Sequence, residues 1–147
     1  MSERSEKAEA LFKSGYNCSQ SVFAAYADIF GIDTETALKI SCGLGGGCGR
    51  QRDLCGAVSG AVLAIGMKYG TTDGADTDGK KLCYEKVREF SDEFRKTNPS
   101  SMCRELLGLS QKEESATPEK RTDTYYKKRP CAQIVKDSAE ALEKIIL

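Results

Sequence analysis

Histidine is absent from the 147 residues of this chain. That absence removes the commonest general base and metal ligand, excludes a Ser-His or Cys-His couple, and excludes haem attached at a C-x-x-C-H motif. Any metal must then be held mainly by sulfur. Net charge is lacking as well: 22 basic residues balance 22 acidic ones, so no overall field draws the chain to nucleic acid or an anionic membrane. The longest apolar stretch, residues 57–67, is interrupted by Ser59, Gly60 and Gly66 and falls well short of the ~20 residues that span a bilayer. No membrane insertion is expected. Two cysteine spacings are missing too. No C-x-x-C marks a redox nucleophile with its resolving partner, and no short knuckle of the zinc type is found.

Cysteine itself is plentiful, at seven residues. In a secreted chain that number would suggest a disulfide scaffold, but the opening residues from Met1 are charged and contain no apolar stretch resembling a signal peptide, so a reducing cytoplasm is expected. A chain of this length can bury roughly 70% of its extended surface without staples. Helical punctuation runs throughout while strand-like alternation does not, which predicts one all-α domain over residues 1–147, an up-and-down-like bundle of about six to eight helices.

The first predicted helix covers residues 3–14 and stops at Gly15. The second follows Asn17 as N-cap and puts Cys18, Val22, Ala25, Tyr26 and Ile29 on one stripe before Gly31. A third starts in the 33–36 region and breaks after Cys42, where the run GLGGGCG occupies 43–49. The fourth is expected to be capped by Asp53, with Cys55 in its first turn and the small residues Gly56, Gly60 and Ala64 forming a flat ridge that admits a neighbouring helix. The fifth runs from about Asp78 to Lys96. A short sixth, capped by Ser100 or Ser101, carries Cys103, Leu106 and Leu107. After a polar loop at 111–117, Pro118-Glu119 suits the first turn of a seventh. Pro130 opens the last helix, whose inward side reads Cys131, Ile134, Val135, Leu142, Ile145 and Ile146.

Cys18, Cys55, Cys103 and Cys131 therefore sit at the starts of the second, fourth, sixth and eighth segments. If neighbouring helices are antiparallel, these four starts lie at one end of the molecule, and side chains leaning toward helix N-termini converge there. Free N–H groups and the positive dipole end favour thiolate at such positions. Lys13, Arg50, Arg52, Arg104, Lys127, Lys128 and Arg129 lie near these starts in sequence and would add to the effect. Cys83, inside the fifth helix, reads as a small hydrophobe. Asp76 and Asp78 read as an acidic N-cap region, since Gly74 occupies the first ligand position of a would-be calcium loop. The basic run 121–129, with Tyr125 and Tyr126, reads as a solvated helix end beside the cysteine site.

The segments GYNCSQ at 15–20, GLGGGCG at 43–49 and CGAVSGA at 55–61, together with the later Cys103 and Cys131, resemble the C_GCAxxG_C_C family of redox-active proteins. The resemblance extends roughly from Ala8 to Val135 and implies that Cys18, Cys55, Cys103 and Cys131 are the signature cysteines of a cytoplasmic redox protein. Cys42, Cys48 and Cys83 fall outside the signature, and the cofactor stays open.

Three chemistries suit the four thiols. The first is a metal or iron–sulfur centre for electron transfer with a protein partner, ranked first because the ligand set is all cysteine. Gly45, Gly46, Gly47 and Gly49 would supply N–H donors to it, with Cys42 and Cys48 as extra ligands. The second is a thiol–disulfide redox protein in which pairs among the four cycle. The third is a structural zinc site, held by the same four cysteines, in a binding or regulatory module. The oxidoreductase assignment, the substrate and the oligomeric state stay open at this stage.

Overall fold

The computed structural model describes residues 2–109 and 115–147, and these form an all-α fold. Its helices are α1 (Glu3–Lys13), α2 (Cys18–Tyr26), α3 (Thr34–Ser41), α4 (Gly56–Tyr69), α5 (Thr77–Arg95), α6 (Cys103–Leu106), α7 (Asp123–Lys128) and α8 (Cys131–Ile146). A 3-10 segment, Ala27–Phe30, continues α2, and a glycine-rich turn, Gly45–Cys48, lies between α3 and α4. The only strand-like pairing among the described residues is an isolated antiparallel bridge between Leu54 and Met102. None of their helices is long and apolar enough to cross a membrane.

The helix starts follow local chemistry. Ser2 caps α1 in a reciprocal box with Ser5, and Asn17 caps α2 in a second box with Gln20. Asp33, Asp76 and Thr122 each accept a backbone N–H from the first turn of their helices. Caps of this kind contribute about 1 kcal/mol each. Asp76 thus serves as the N-cap expected of that acidic pair.

Several expected boundaries move. Asp53 does not cap α4, because the preceding residues are held in the bridge to Met102 and the helix starts after Cys55 as N-cap. Met102 is the N-cap of α6, while the Ser100 hydroxyl accepts from the Met102 N–H instead of opening the helix. Pro118-Glu119 is not helical; α7 begins only at Asp123, where the Thr122 side chain satisfies the Tyr125 N–H. The polar loop expected at 111–117 lies partly outside the described residues. Ile29 is exposed, since the tightening from α-helix to 3-10 at Ala27 rotates it off the buried stripe.

The core is a contiguous cluster in which Phe12 of α1, Tyr26 of α2, Ile65 of α4, Phe90 and Phe94 of α5, and Leu142 of α8 are fully buried. Two buried bonds tie α8 to its neighbours: the Tyr26 hydroxyl donates to the Ala139 carbonyl at 2.6 Å, and the Ser138 hydroxyl donates to the Ala57 carbonyl at 2.7 Å. Such bonds satisfy polar groups that would otherwise be costly inside the core.

The contact that positions the cysteines is the crossing of α2 on α4. The expected ridge of small residues is buried there, and a Cβ built on Gly60 would lie 2.6 Å from the Ser19 carbonyl oxygen. A Cβ on Gly56 would lie 3.2 Å from both the Cys18 Cβ and the Ser19 nitrogen. Backbone approaches backbone only because these side chains are missing. Gly60→Ala is therefore expected to destabilise the protein by about 1–3 kcal/mol through overpacking. Gly66→Ala, on the same helix but with nothing within 4 Å of its added Cβ, should stabilise by roughly 0.5–1 kcal/mol. Urea unfolding midpoints at constant slope measure both, and equal shifts would contradict the crossing.

Candidate redox site

Each signature cysteine occupies a helix start. Cys18, Cys103 and Cys131 are the first residues of α2, α6 and α8, and Cys55 is the N-cap of α4. The Cys55 N–H donates to the Ser101 carbonyl at 2.8 Å and the Cys103 N–H to the Asp53 carbonyl at 2.7 Å, one on each side of the Leu54–Met102 bridge. Alternation about that bridge puts Cys55 and Cys103 on one of its faces, in the diagonal relation that separates residues by about 7–8 Å. The α2–α4 crossing brings Cys18 alongside. Cys18, Cys55, Cys103 and Cys131 all line a single cavity of about 290 Å³. Cys42 is at its exposed edge, whereas Cys48 and Cys83 are not in its wall, and Cys83 packs half-buried against the core.

The thiols differ sharply in acidity. Burial holds the Cys55 thiol up at about 12. Cys103 is also raised by burial, against the pull of Arg52, whose guanidinium N–H donates toward its sulfur at 3.6 Å. Cys18 is raised well above the ordinary thiol range, first because it acts as hydrogen-bond donor to Cys131 and then by burial. Cys131 alone is lowered, to about 7: the Cys18 hydrogen bond stabilises its thiolate, and Arg129, Arg52 and Arg121 add their charge. The expectation that all four helix starts favour thiolate thus holds for one cysteine. Desolvation outweighs the dipole at Cys55 and Cys103, and α6 is a single turn with little dipole to offer. Of the basic residues flagged by sequence, Arg129 and Arg52 line the cavity and help to lower Cys131, whereas Lys13, Lys127 and Lys128 are not in its wall.

The glycine run folds into a turn dense in left-handed backbone. Gly46, Gly47 and Gly49 have φ of 66°, 72° and 60°, and Cys48, Arg50 and Arg52 adopt 69°, 62° and 63° without being glycine. A non-glycine residue there carries roughly 1–2 kcal/mol of strain, which the surrounding bonds offset. Gly43, Gly45, Gly46 and Gly47 offer their carbonyls to the N–H groups of Gly49, Arg50, Arg52 and Asp53. The N–H groups of Gly45 and Gly49 donate within the turn itself, to the carbonyls of Cys42 and Gly43. Gly47 has a packing role: a Cβ there would meet the Cys103 Cβ and the Arg52 Cα, each at 2.7 Å. The run places Arg52 against Cys103 and walls one side of the cavity.

Sequence reasoning missed the opposite wall. Arg121 donates to the carbonyls of Phe12 at 2.7 Å and Tyr16 at 3.0 Å, and its guanidinium lies 4.2 Å from the Phe12 ring centre and 5.1 Å from that of Tyr125. Arg129 pairs with Glu119, and Arg50 donates to the carbonyls of Ser115 and Thr117. The segment from Ser115 to Thr122 is thereby drawn across the cavity, where Ala116, Pro118 and Glu119 contribute to its lining. The available signal was the interleaving of Arg121 and Arg129 with two tyrosines, which patterns alone assign to a solvated end.

Among the described residues no group of three or more His, Cys, Asp or Glu side chains is placed to hold a metal ion. Against known proteins, a family model described as "Putative redox-active protein (C_GCAxxG_C_C)" matches residues 16–145. No curated protein and no solved structure matched the chain.

Alkylation by iodoacetamide, followed residue by residue with peptide mapping, checks the order of acidities. The Cys131 rate should rise with pH through a midpoint near 7, while Cys55 stays unreactive at neutral pH. Cys18→Ala removes the donor that favours the thiolate, so the Cys131 midpoint should move upward.

Proposed function

We propose, from the premise that the chain belongs to the C_GCAxxG_C_C family of redox-active proteins, that it carries out thiol–disulfide redox chemistry at a Cys131–Cys18 pair. The observation that carries this reading is the placement of Cys18 and Cys131, the first residues of α2 and α8, in one cavity wall with Arg52, Arg121 and Arg129, where those charges favour a thiolate on Cys131. A lowered thiol is thiolate in a larger fraction at neutral pH than a free cysteine. A thiol whose acidity constant matches the ambient pH is the best attacking nucleophile in exchange.

The steps follow from that placement. The Cys131 thiolate attacks one sulfur of a substrate disulfide, the substrate S–S bond breaks, and one half leaves as thiolate while the other stays in a mixed disulfide on Cys131. Capping Cys131 removes the hydrogen bond that is the largest cause of the raised Cys18 value, so Cys18 ionises more readily at this stage. Cys18 then gives up its proton, attacks the Cys131 sulfur and expels the second half. The pair loses two electrons and two protons, and the substrate disulfide gains them as two thiols. Cys103, beside Arg52, and Cys55 line the same cavity and complete a protected sulfur environment. The reducing cytoplasm, which re-reduces such a pair, is the compartment this reading implies.

A second reading is favoured by one observation, the gathering of four cysteines with arginine around one cavity. An iron–sulfur cluster held by Cys18, Cys55, Cys103 and Cys131 would supply one-electron transfer to a protein partner. A single ion such as zinc fits less well, because its four sulfurs must all lie ~2.3 Å from one point and the described residues offer no such group.

Protein purified without oxygen separates the two. The thiol reading expects colourless material that loses two titratable thiols on treatment with a small disulfide. Cys131→Ser should abolish the reaction, Cys18→Ser should stop it at the mixed disulfide seen by mass, and Cys83→Ser should leave it unchanged. Stoichiometric iron and acid-labile sulfide, lost on serine substitution at any of the four, would replace it with the cluster.

A further inference from the structure

This inference rests on the thiol–disulfide reading and names its substrate class. The cavity lining carries the side chains of Arg121 and Arg129 beside the carboxylate of Glu119. That acid is engaged by Arg129. The partners of Arg121 are carbonyls, a phenol oxygen and aromatic faces, all uncharged, so its positive charge is retained beside the thiols. The same charge helps to lower Cys131, which places it within electrostatic reach of the attacking sulfur. The rest of the wall includes Phe12, Tyr125, Leu106 and Ile134, an apolar surround in which charge is weakly screened. A cation whose partners are all uncharged, set in a concave low-dielectric wall, attracts a ligand of opposite charge.

Size and access narrow the class further. A space of about 290 Å³ holds the volume of roughly ten water molecules at ~30 Å³ each. That suits half of a small disulfide and excludes a folded polypeptide. The strap formed by 115–122 contributes to the cavity wall, in which Cys55 and Cys103 are buried while Cys18 and Cys131 are partly exposed, so a small disulfide that enters the space meets Cys131. We infer that the substrate is a low-molecular-weight anionic disulfide, carrying a carboxylate or similar acid a few bonds from its sulfur, whose charged end is received by Arg121 while its sulfur meets Cys131.

Three disulfides of nearly equal shape test this: dithiodipropionate (anionic), hydroxyethyl disulfide (neutral) and cystamine (cationic). The second-order rate of oxidation of the fully reduced protein by each is divided by that of 2-mercaptoethanol with the same reagent, which removes intrinsic reactivity. The anion should exceed the neutral reagent by about tenfold and the cation by more, within the range of electrostatic focusing. In Arg121→Gln the ratio of anion to cation should narrow several-fold, a readout in which any change in Cys131 acidity cancels. The wild-type series stands alone if that variant does not fold. Insulin disulfides should react far more slowly than any of the three. Equal normalised rates, a preference for cystamine, an unchanged ratio in folded Arg121→Gln, or rapid reduction of insulin each overturn the inference while leaving the thiol reading intact. Failure of all disulfides to oxidise the Cys131–Cys18 pair removes the thiol reading itself, and this inference with it.

Discussion

The approach of α2 to α4 is the contact on which the rest of the molecule depends. Gly56 and Gly60 present bare backbone to Ser19 and Cys18, and the spacing leaves no room for a methyl group at Gly60 and little at Gly56. From that crossing follow the position of Cys18 against the start of α4, the seat of the glycine turn above it, and the wall that the turn builds. Asn17 extends the same contact, since its side chain caps α2, donates to the Cys42 carbonyl at 2.9 Å and lies where a Cβ on Gly45 would fall. One polar side chain thus joins the helix start to the turn.

The site combines two opposing effects, and their balance differs from sulfur to sulfur. Burial penalises every thiolate, while cations and hydrogen-bond donors favour it. Cys55 has mainly burial and backbone donors; Cys103 has burial opposed by Arg52; Cys131 has Cys18 and three arginines in its favour. Tyr125, in the same wall, is itself pushed up to about 12 by burial and by the charge of Cys131, so it stays a neutral phenol beside the thiolate. Of the four thiols, Cys131 is lowered while the other three are held up.

Much of this was legible in the sequence, and the reasons are local. Asn17-x-x-Gln20 announces a capping box, Gly56 and Gly60 announce a close crossing, and Pro130 announces the last helix, because each depends on residues a few positions apart. Cys18, Cys55, Cys103 and Cys131, marked in the sequence by their places at helix starts, line one cavity. What stayed hidden depends on contacts across long separations: the Leu54–Met102 bridge displaced the predicted caps Asp53, Ser100 and Ser101, and the stacking of Arg121 on Phe12 joins residues from opposite ends of the chain. The ranking of acidities was likewise unreadable, since burial of each sulfur is a property of the assembled fold.

The strap over the cavity has a kinetic meaning. It is tied down by Arg50, Arg121 and Arg129 through carbonyls and one carboxylate, with little apolar burial of its own, so it can lift with a free energy far below that of unfolding the helices beneath it. Exposure of Cys55 and Cys103 then has a local, denaturant-insensitive route, and their modification rates multiply the fraction of time the cover is lifted by the reactivity that each sulfur's acidity allows. The two most deeply held thiols become built-in recorders of that breathing motion.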